Sequence, residues 1–142
     1  MAESATHRSM KAIVRLELER EGFTVVEEPP VPPGERVSWS AYRPDLLGYR
    51  SEDEYEEIVL VECETHPRMR RLETKRLSTV WFQPRVCQGG AVRKILAVPQ
   101  GKLRSVDMRI RRGWDVWILG GSAAMAKFPA FPENAAPHAS HG

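Results

Sequence analysis

The sequence contains only two cysteines, Cys63 and Cys87, among its 142 residues. Two thiols cannot build the disulfide framework of a small secreted domain or the paired cysteine clusters of a zinc ribbon. The four histidines lack metal-ligand spacing, so a zinc site is not expected. No apolar run is long enough to cross a bilayer, and the opening Met-Ala-Glu-Ser is not typical of a signal peptide. These absences predict a cytoplasmic protein without a membrane-spanning segment.

Two frequent enzyme signatures are also missing. No glycine-rich phosphate loop follows a strand, since the pairs at 89–90 and 120–121 are typical of turns. The sequence also lacks an arrangement of Ser, His and Asp that would indicate acyl transfer. Hydrophobic residues make up 42% and charged residues 28%, as in an ordinary folded domain. We therefore predict one domain over residues 1–120, followed by a flexible tail over 121–142 that is rich in Ala, Pro, His and Ser.

Charge is divided unevenly along the chain. Residues 1–65 hold 7 basic and 15 acidic side chains, whereas residues 66–142 hold 14 basic and 4 acidic ones. Such a division indicates an acidic site beside a surface that attracts phosphate, although two halves that merely neutralise each other would give the same pattern. The candidate nucleic-acid contacts in the basic half are Arg68, Arg70, Arg71, Arg76, Arg109, Arg111 and Arg112.

Hydrophobic periodicity predicts an α/β fold. The expected elements are a helix over 7–22, strands over 23–28, 36–49 and 58–64, a helix from Thr65 to about Phe82, a strand over 91–100, a short helix over 105–113 and a strand over 114–119. The acidic segment 51–57 is expected to be a solvated turn. A strand, a helix and a second strand in succession imply a parallel crossover, so the sheet should be mixed, with helices packed on it.

Several carboxylates stand at positions where a core is expected. Asp45 follows Pro44 on one predicted strand, and Glu62 and Glu64 end the apolar run of the next. Glu17 falls inside the apolar arc of the first helix, where a carboxylate is costly unless it is paired or bound to a metal. Pairing at the rim with arginines of the basic half of the chain remains open for Glu17.

Pro44-Asp45, followed after a gap by Glu62-Cys63-Glu64, resembles the signature of the PD-(D/E)XK nuclease superfamily. The element order resembles its αβββαβ core, a restriction-endonuclease-like mixed sheet flanked by helices. Archaeal Holliday-junction resolvases are similar in style, with a first helix that ends in Glu-Gly-Phe. The resemblance implies a metal-dependent endonuclease that hydrolyses DNA, including branched DNA, and that forms a homodimer.

The same resemblance implies a set of site residues. Asp45, Glu62 and the carbonyl of Cys63 would hold Mg²⁺ or Mn²⁺, and Glu17 would assist from the first helix. Oxygen ligands suit such hard ions, which activate water and neutralise charge at phosphorus. The Cys63 side chain should point the other way, into the core, because side chains alternate along a strand.

One position departs from the family pattern. Glu64 stands where the motif has lysine, and a glutamate cannot supply that positive charge. Lys75 or Arg71, on the predicted second helix, could supply it instead, which makes Lys75 a candidate catalytic residue beside Asp45, Glu62 and Glu64. The departure also favours an alternative, a catalytically reduced nucleic-acid-binding module of the same fold. In a third alternative, a protein-interaction domain, the carboxylates form surface ion pairs.

Overall fold

Helix α1 spans Ala5–Arg20 in the computed structural model of the protein, which describes residues 3–27, 44–52, 55–68, 72, 91–102 and 111–131. Ser4 caps the helix, since its Oγ accepts a hydrogen bond from the His7 N–H at 3.1 Å. The chain leaves the helix at Gly22, whose φ of 96° is unfavourable for residues with a Cβ. The helix predicted over 7–22 is confirmed.

The described strands form one sheet in which sequence order and spatial order coincide. Its strands are β1 Thr24–Glu27, β2 Leu46–Glu52, β3 Tyr55–Cys63, β4 Ala91–Pro99, β5 Asp115–Gly120 and β6 Ala123–Phe128. Strands β1, β2 and β3 pair antiparallel, β3, β4 and β5 pair parallel, and β6 returns antiparallel to β5. The predicted α/β class with a mixed sheet, including the parallel pairing of β3 and β4, is confirmed.

Alternation along β4 and β5 divides the core into two layers. Val59, Val61 and Cys63 are fully buried in the cluster that contains the inward face of α1. A second cluster combines Leu96 of β4 and Val116 of β5 with Leu72 and Trp114. Trp114 and Trp117 are each 1% exposed and belong to the core. The sheet is thus buried on both faces around its centre, as parallel pairing requires.

Two leucines on α1 give a matched test of this packing. Leu18 is fully buried against the sheet, whereas Leu16 is 46% exposed. We expect Leu18→Ala to lower the free energy of unfolding by about 3 kcal/mol, because it removes buried methyl groups and leaves a cavity. Leu16→Ala should change it by less than about 0.5 kcal/mol. Urea denaturation monitored by tryptophan fluorescence measures both, and equal losses would contradict the placement of α1.

Two expectations about loops were wrong. The acidic segment 51–57 is mostly strand, because β2 runs to Glu52 and β3 begins at Tyr55. Its charge is accommodated in the ladder, where Arg50 of β2 lies opposite Glu57 of β3 and donates from Nε at 3.0 Å. The tail predicted from residue 121 is strand over Ala123–Phe128. A turn at Gly121, with φ of 61°, lets this segment of small residues pair with β5.

The remaining predictions of secondary structure lie largely outside the described residues. These are the connector over 29–34, the strand over 36–43, the tail beyond residue 131, and most of the two helices over 65–82 and 105–113. Leu72 is described; its N–H donates to the Arg68 carbonyl at 2.9 Å, the spacing of an α-helical turn. In the described ranges, no helix is both long and apolar enough to span a membrane.

Candidate active site

Asp45 lies immediately before β2, beside the end of β3. Its main-chain N–H donates to the Val61 carbonyl at 2.9 Å, and the next residue, Leu46, pairs with Val61 in the antiparallel ladder. Its side chain turns toward the strand end, where Oδ2 accepts from the Cys63 N–H at 2.8 Å. The carboxylate is 19% exposed, so solvent and solutes reach it. The structure therefore anchors Asp45 to the end of β3 from a position just before β2, whereas the sequence had placed it within a strand over 36–49.

Glu62 and Glu64 lie at the same strand end and are 2% and 7% exposed. They alternate with Cys63, which is fully buried against α1. Burial raises the pKa of the Cys63 thiol well above its usual range, and the negative charges of Asp45, Glu62 and Glu64 raise it further. Cys63 is therefore a neutral core residue, and three carboxylates gather around it.

The structure adds a residue that we did not predict from the sequence. His7, on the first turn of α1, directs Nε2 at two oxygens, the Cys63 carbonyl at 3.1 Å and Asp45 Oδ2 at 3.3 Å. Its other ring nitrogen, Nδ1, lies 2.6 Å from Glu3 Oε2. Every one of these partners is a hydrogen-bond acceptor, so the doubly protonated ring satisfies all of them. Burial alone would lower the pKa of His7, but the hydrogen bond to Glu3 and the charge of Asp45 outweigh it and raise the pKa.

Lys11 lies one turn after His7 on the same face of α1. Its side chain is 5% exposed, and Nζ lies 2.6 Å from the same Glu3 Oε2 that contacts His7. The hydrogen bond from Lys11, followed by the one from His7, lowers the pKa of Glu3. Glu3 thus links two positively charged side chains, and one of them contacts Asp45. The site contains cations from the first helix as well as carboxylates from the sheet.

A signal for His7 was present in the sequence. At 100° per residue, positions 7, 11, 14 and 18 point the same way along a helix. Val14 and Leu18 are buried there, so His7 and Lys11 face the sheet with them. Extending the apolar face by two turns toward the chain start would have shown that His7 points inward. The sequence could not show that the end of β3 lies opposite this turn.

The structure places Glu17 at the other end of α1. Its Oε2 accepts from Lys127 Nζ at 2.9 Å, and its Oε1 accepts from Arg20 at 3.3 Å. The hydrogen bond from Lys127 lowers the pKa of Glu17. Ten residues separate Glu17 from His7, about 15 Å along a helix axis. The structure does not bring Glu17 to the Asp45 carboxylate. Glu17 is paired at the rim, but with Lys127 and Arg20 in place of arginines of the basic half.

The basic candidates are only partly described. Arg68 and Arg112 are exposed, whereas Arg111 is half-buried and lies over the Phe131 ring at 4.2 Å from its centroid. Arg111 also donates from Nε to the Pro129 carbonyl at 2.8 Å, so it anchors the segment after β6. The other candidates lie outside the described residues, namely Arg70, Arg71, Lys75, Arg76 and Arg109.

A divalent ion needs several oxygen or nitrogen donors around one point. Asp45 Oδ2 and the Cys63 carbonyl meet that need in part, because both lie within 3.3 Å of His7 Nε2. Over the described ranges, no group of three or more His, Cys, Asp or Glu side chains is arranged to hold an ion. The donors that converge are two side chains and one main-chain oxygen. A carboxylate and a carbonyl oxygen are donor types that suit a hard cation, and both are donors that the resemblance assigned.

Comparisons with known proteins support the fold. No protein-family model matches the chain, and no curated protein matches it. An XisH family protein from Nostoc punctiforme PCC 73102 is similar in structure, with a TM-score of 0.51 and 15% identity over 84% of this chain and 98% of that one. A FdxN element excision controlling factor protein from Anabaena variabilis gives a TM-score of 0.50 and 12% identity over 85% of this chain and 98% of that one.

A third solved structure is more distant. The small subunit of a heterodimeric restriction endonuclease aligns with a TM-score of 0.37 and 16% identity, over 81% of this chain and 59% of that one, a likeness too low to carry an inference. At the identities of the first two structures, the likeness concerns the fold alone. The chain therefore has the fold of these two proteins, and its chemistry must be argued from its own residues.

Proposed function

We propose that the protein is a metal-dependent endonuclease that hydrolyses DNA phosphodiester bonds, including those of branched DNA. The supporting observation is the convergence of Asp45 Oδ2 and the Cys63 carbonyl on one point at the end of β3. A carboxylate and a main-chain carbonyl at neighbouring strand ends are the donors that the resemblance to PD-(D/E)XK nucleases implies. Glu62 and Glu64, at the same strand end, are proposed to complete the acidic site.

The chain's own residues have separate tasks in this proposal. When bound, Mg²⁺ or Mn²⁺ would supply an activated water and positive charge at phosphorus. Asp45 is held by the Cys63 N–H, which fixes the direction of its Oδ2 at the site. Glu62 is almost fully buried, which makes its charge effective over a longer range than that of a solvated carboxylate. Arg68, which is exposed five residues after the end of β3, is proposed to contact the DNA backbone.

A second candidate is a nucleic-acid-binding module without catalytic activity. The observation that favours it is the pair of cationic side chains, His7 and Lys11, that α1 presents to the acidic strand end. Contacts with such cations stabilise carboxylates without any metal. Glu64 in the place of the motif lysine favours the same reading. Both candidates bind DNA, and they differ in whether bonds are cut.

One experiment separates the candidates. The full chain is incubated with linear, single-stranded and four-way DNA in the presence of Mg²⁺, Mn²⁺ or EDTA, and binding is followed by fluorescence anisotropy at several salt concentrations. The endonuclease reading requires products that depend on the divalent ion. Salt-sensitive binding without products would support the binding module, since released counterions make DNA affinity fall with salt. Absence of both would favour a protein-interaction domain.

We also propose that the protein acts as a homodimer. The proposal rests on the family resemblance and on the apolar segment over 80–82, which lies outside the described residues. Light scattering coupled to size exclusion measures the mass in solution, and 16.1 kDa, the mass of one chain, would contradict the proposal.

A further inference from the structure

His7 makes more contacts at the end of β3 than a purely structural role requires. A single hydrogen bond to the Cys63 carbonyl would suffice to tie α1 to β3. Instead, Nε2 also lies 3.3 Å from Asp45 Oδ2, and both oxygens are proposed donors to the divalent ion. Adjacent ligands of an octahedral ion with bonds of about 2.1 Å lie about 3.0 Å apart. The two distances from Nε2 are thus close to the spacing of neighbouring ligands around one ion.

The opposite side of the ring shows a second feature of a metal-bound histidine. Nδ1 lies 2.6 Å from Glu3 Oε2, and a carboxylate can only accept, so Nδ1 carries a hydrogen. This contact directs Nε2 toward the strand end, and it leaves the Nε2 lone pair for an ion once the Nε2 proton passes to solvent. Histidines that bind metals usually make such a contact with a carboxylate through the nitrogen that does not bind.

The local backbone fixes this arrangement. His7 lies in the first turn of α1, where its N–H is bonded to the cap Ser4. Glu3 is also held by Lys11 Nζ at 2.6 Å, so the carboxylate that orients the ring has a fixed place of its own. The ring, its orienting carboxylate and the cap belong to one rigid helix start that faces Asp45.

From this geometry we infer that His7, oriented by Glu3, is a nitrogen ligand of the divalent ion held by Asp45 and the Cys63 carbonyl. The inference rests on the proposed metal site and adds a ligand to it. An imidazole nitrogen suits Mn²⁺ and later transition ions better than Mg²⁺, which prefers oxygen. The site therefore discriminates in favour of Mn²⁺, and α1 contributes His7 to the site.

The test uses the full chain loaded with Mn²⁺ and needs no DNA. Pulsed electron paramagnetic resonance detects the coupling between Mn²⁺ and a bound imidazole nitrogen, and calorimetry measures the dissociation constants for Mn²⁺ and Mg²⁺. We expect a nitrogen coupling in the unaltered chain that disappears in His7→Gln, with Mn²⁺ affinity reduced about 100-fold. Glu3→Gln should weaken Mn²⁺ binding by about tenfold, the lower end for an outer-shell partner. His66→Gln, which alters an exposed histidine just after β3, is the matched control and should keep both properties.

The outcomes separate this inference from the proposed function. Bound Mn²⁺ without nitrogen coupling, equal affinity in His7→Gln, or no Mn²⁺ binding at all would overturn the ligand role, even if the protein cuts DNA. Nitrogen coupling in a protein that cuts no DNA would support the ligand and refute the hydrolysis. Circular dichroism checks that each variant folds. If His7→Gln does not fold, the absence of nitrogen coupling in the unaltered chain still overturns the inference.

Discussion

Asp45→Asn is expected to reduce metal-dependent DNA cleavage by a factor on the order of 10²–10³, the usual loss when a charge-stabilising group leaves a reacting centre. Asparagine keeps the shape of the side chain. Its carbonyl oxygen can still accept the hydrogen bond that the Cys63 N–H donates to Asp45 Oδ2 at 2.8 Å. The negative charge that attracts the ion is lost. Cleavage rates with saturating Mn²⁺ and DNA affinity without metal are the two measurements. DNA affinity should persist or rise, because a carboxylate near phosphate repels it.

Asp115→Asn is a well-matched control for this prediction. The Asp115 side chain is 18% exposed, and that of Asp45 is 19% exposed. Asp115 also accepts a hydrogen bond from a main-chain N–H, that of Ala130, at 2.9 Å. It also pairs with a cation, since Arg93 Nε lies 3.0 Å from its Oδ2. Both variants should lose about 1 kcal/mol of stability through these weakened bonds. Only Asp45→Asn should lose cleavage; equal cleavage by the two variants would remove Asp45 from the site.

The fold was predictable to the extent that local pattern determines it. The apolar face of α1, with Val14 and Leu18, and the continuous apolar run of β3 identify their elements without tertiary information. Strand β6 was missed because small residues such as Ala123 and Ala126 carry little β propensity. Its pairing with β5 is decided by the turn at Gly121 and by contacts such as Lys127 over the Trp117 ring.

The positions of the carboxylates in the candidate site could be predicted for the sheet, but the side chain that reaches them from the helix could not. Asp45 and Glu62 could be identified because a carboxylate at the end of an apolar strand is costly and therefore conspicuous. The partner from α1 depends on which turn of the helix crosses the end of β3, and helical periodicity gives only the face. Glu17 and His7 were both compatible with an inward position. Tertiary packing puts His7 beside Asp45 and puts Glu17 beside Lys127.

Glu64→Lys is expected to weaken divalent-ion binding and cleavage together, by about 10–100-fold, the usual cost of a group near the metal ligands. Glu64 is 7% exposed and lies at the acidic strand end, where its N–H continues the ladder to the Ala97 carbonyl at 2.9 Å. Lys11, whose charge acts on the Cys63 thiol, already brings positive charge to this end of the sheet. Glu64→Lys therefore opposes the ion and does not fill a missing role.

Glu64→Gln separates the loss of a negative charge from the gain of a positive one. Its affinity for the ion should lie between that of the unaltered chain and that of Glu64→Lys. DNA binding without metal should change in the opposite direction, since each added cation that neutralises a phosphate steepens the salt dependence by about one. Weaker ion binding with tighter DNA binding is thus the expected signature of Glu64→Lys. Faster cleavage by Glu64→Lys would instead show that the glutamate is a handicap, and that this chain has drifted from an active nuclease toward a DNA-binding module.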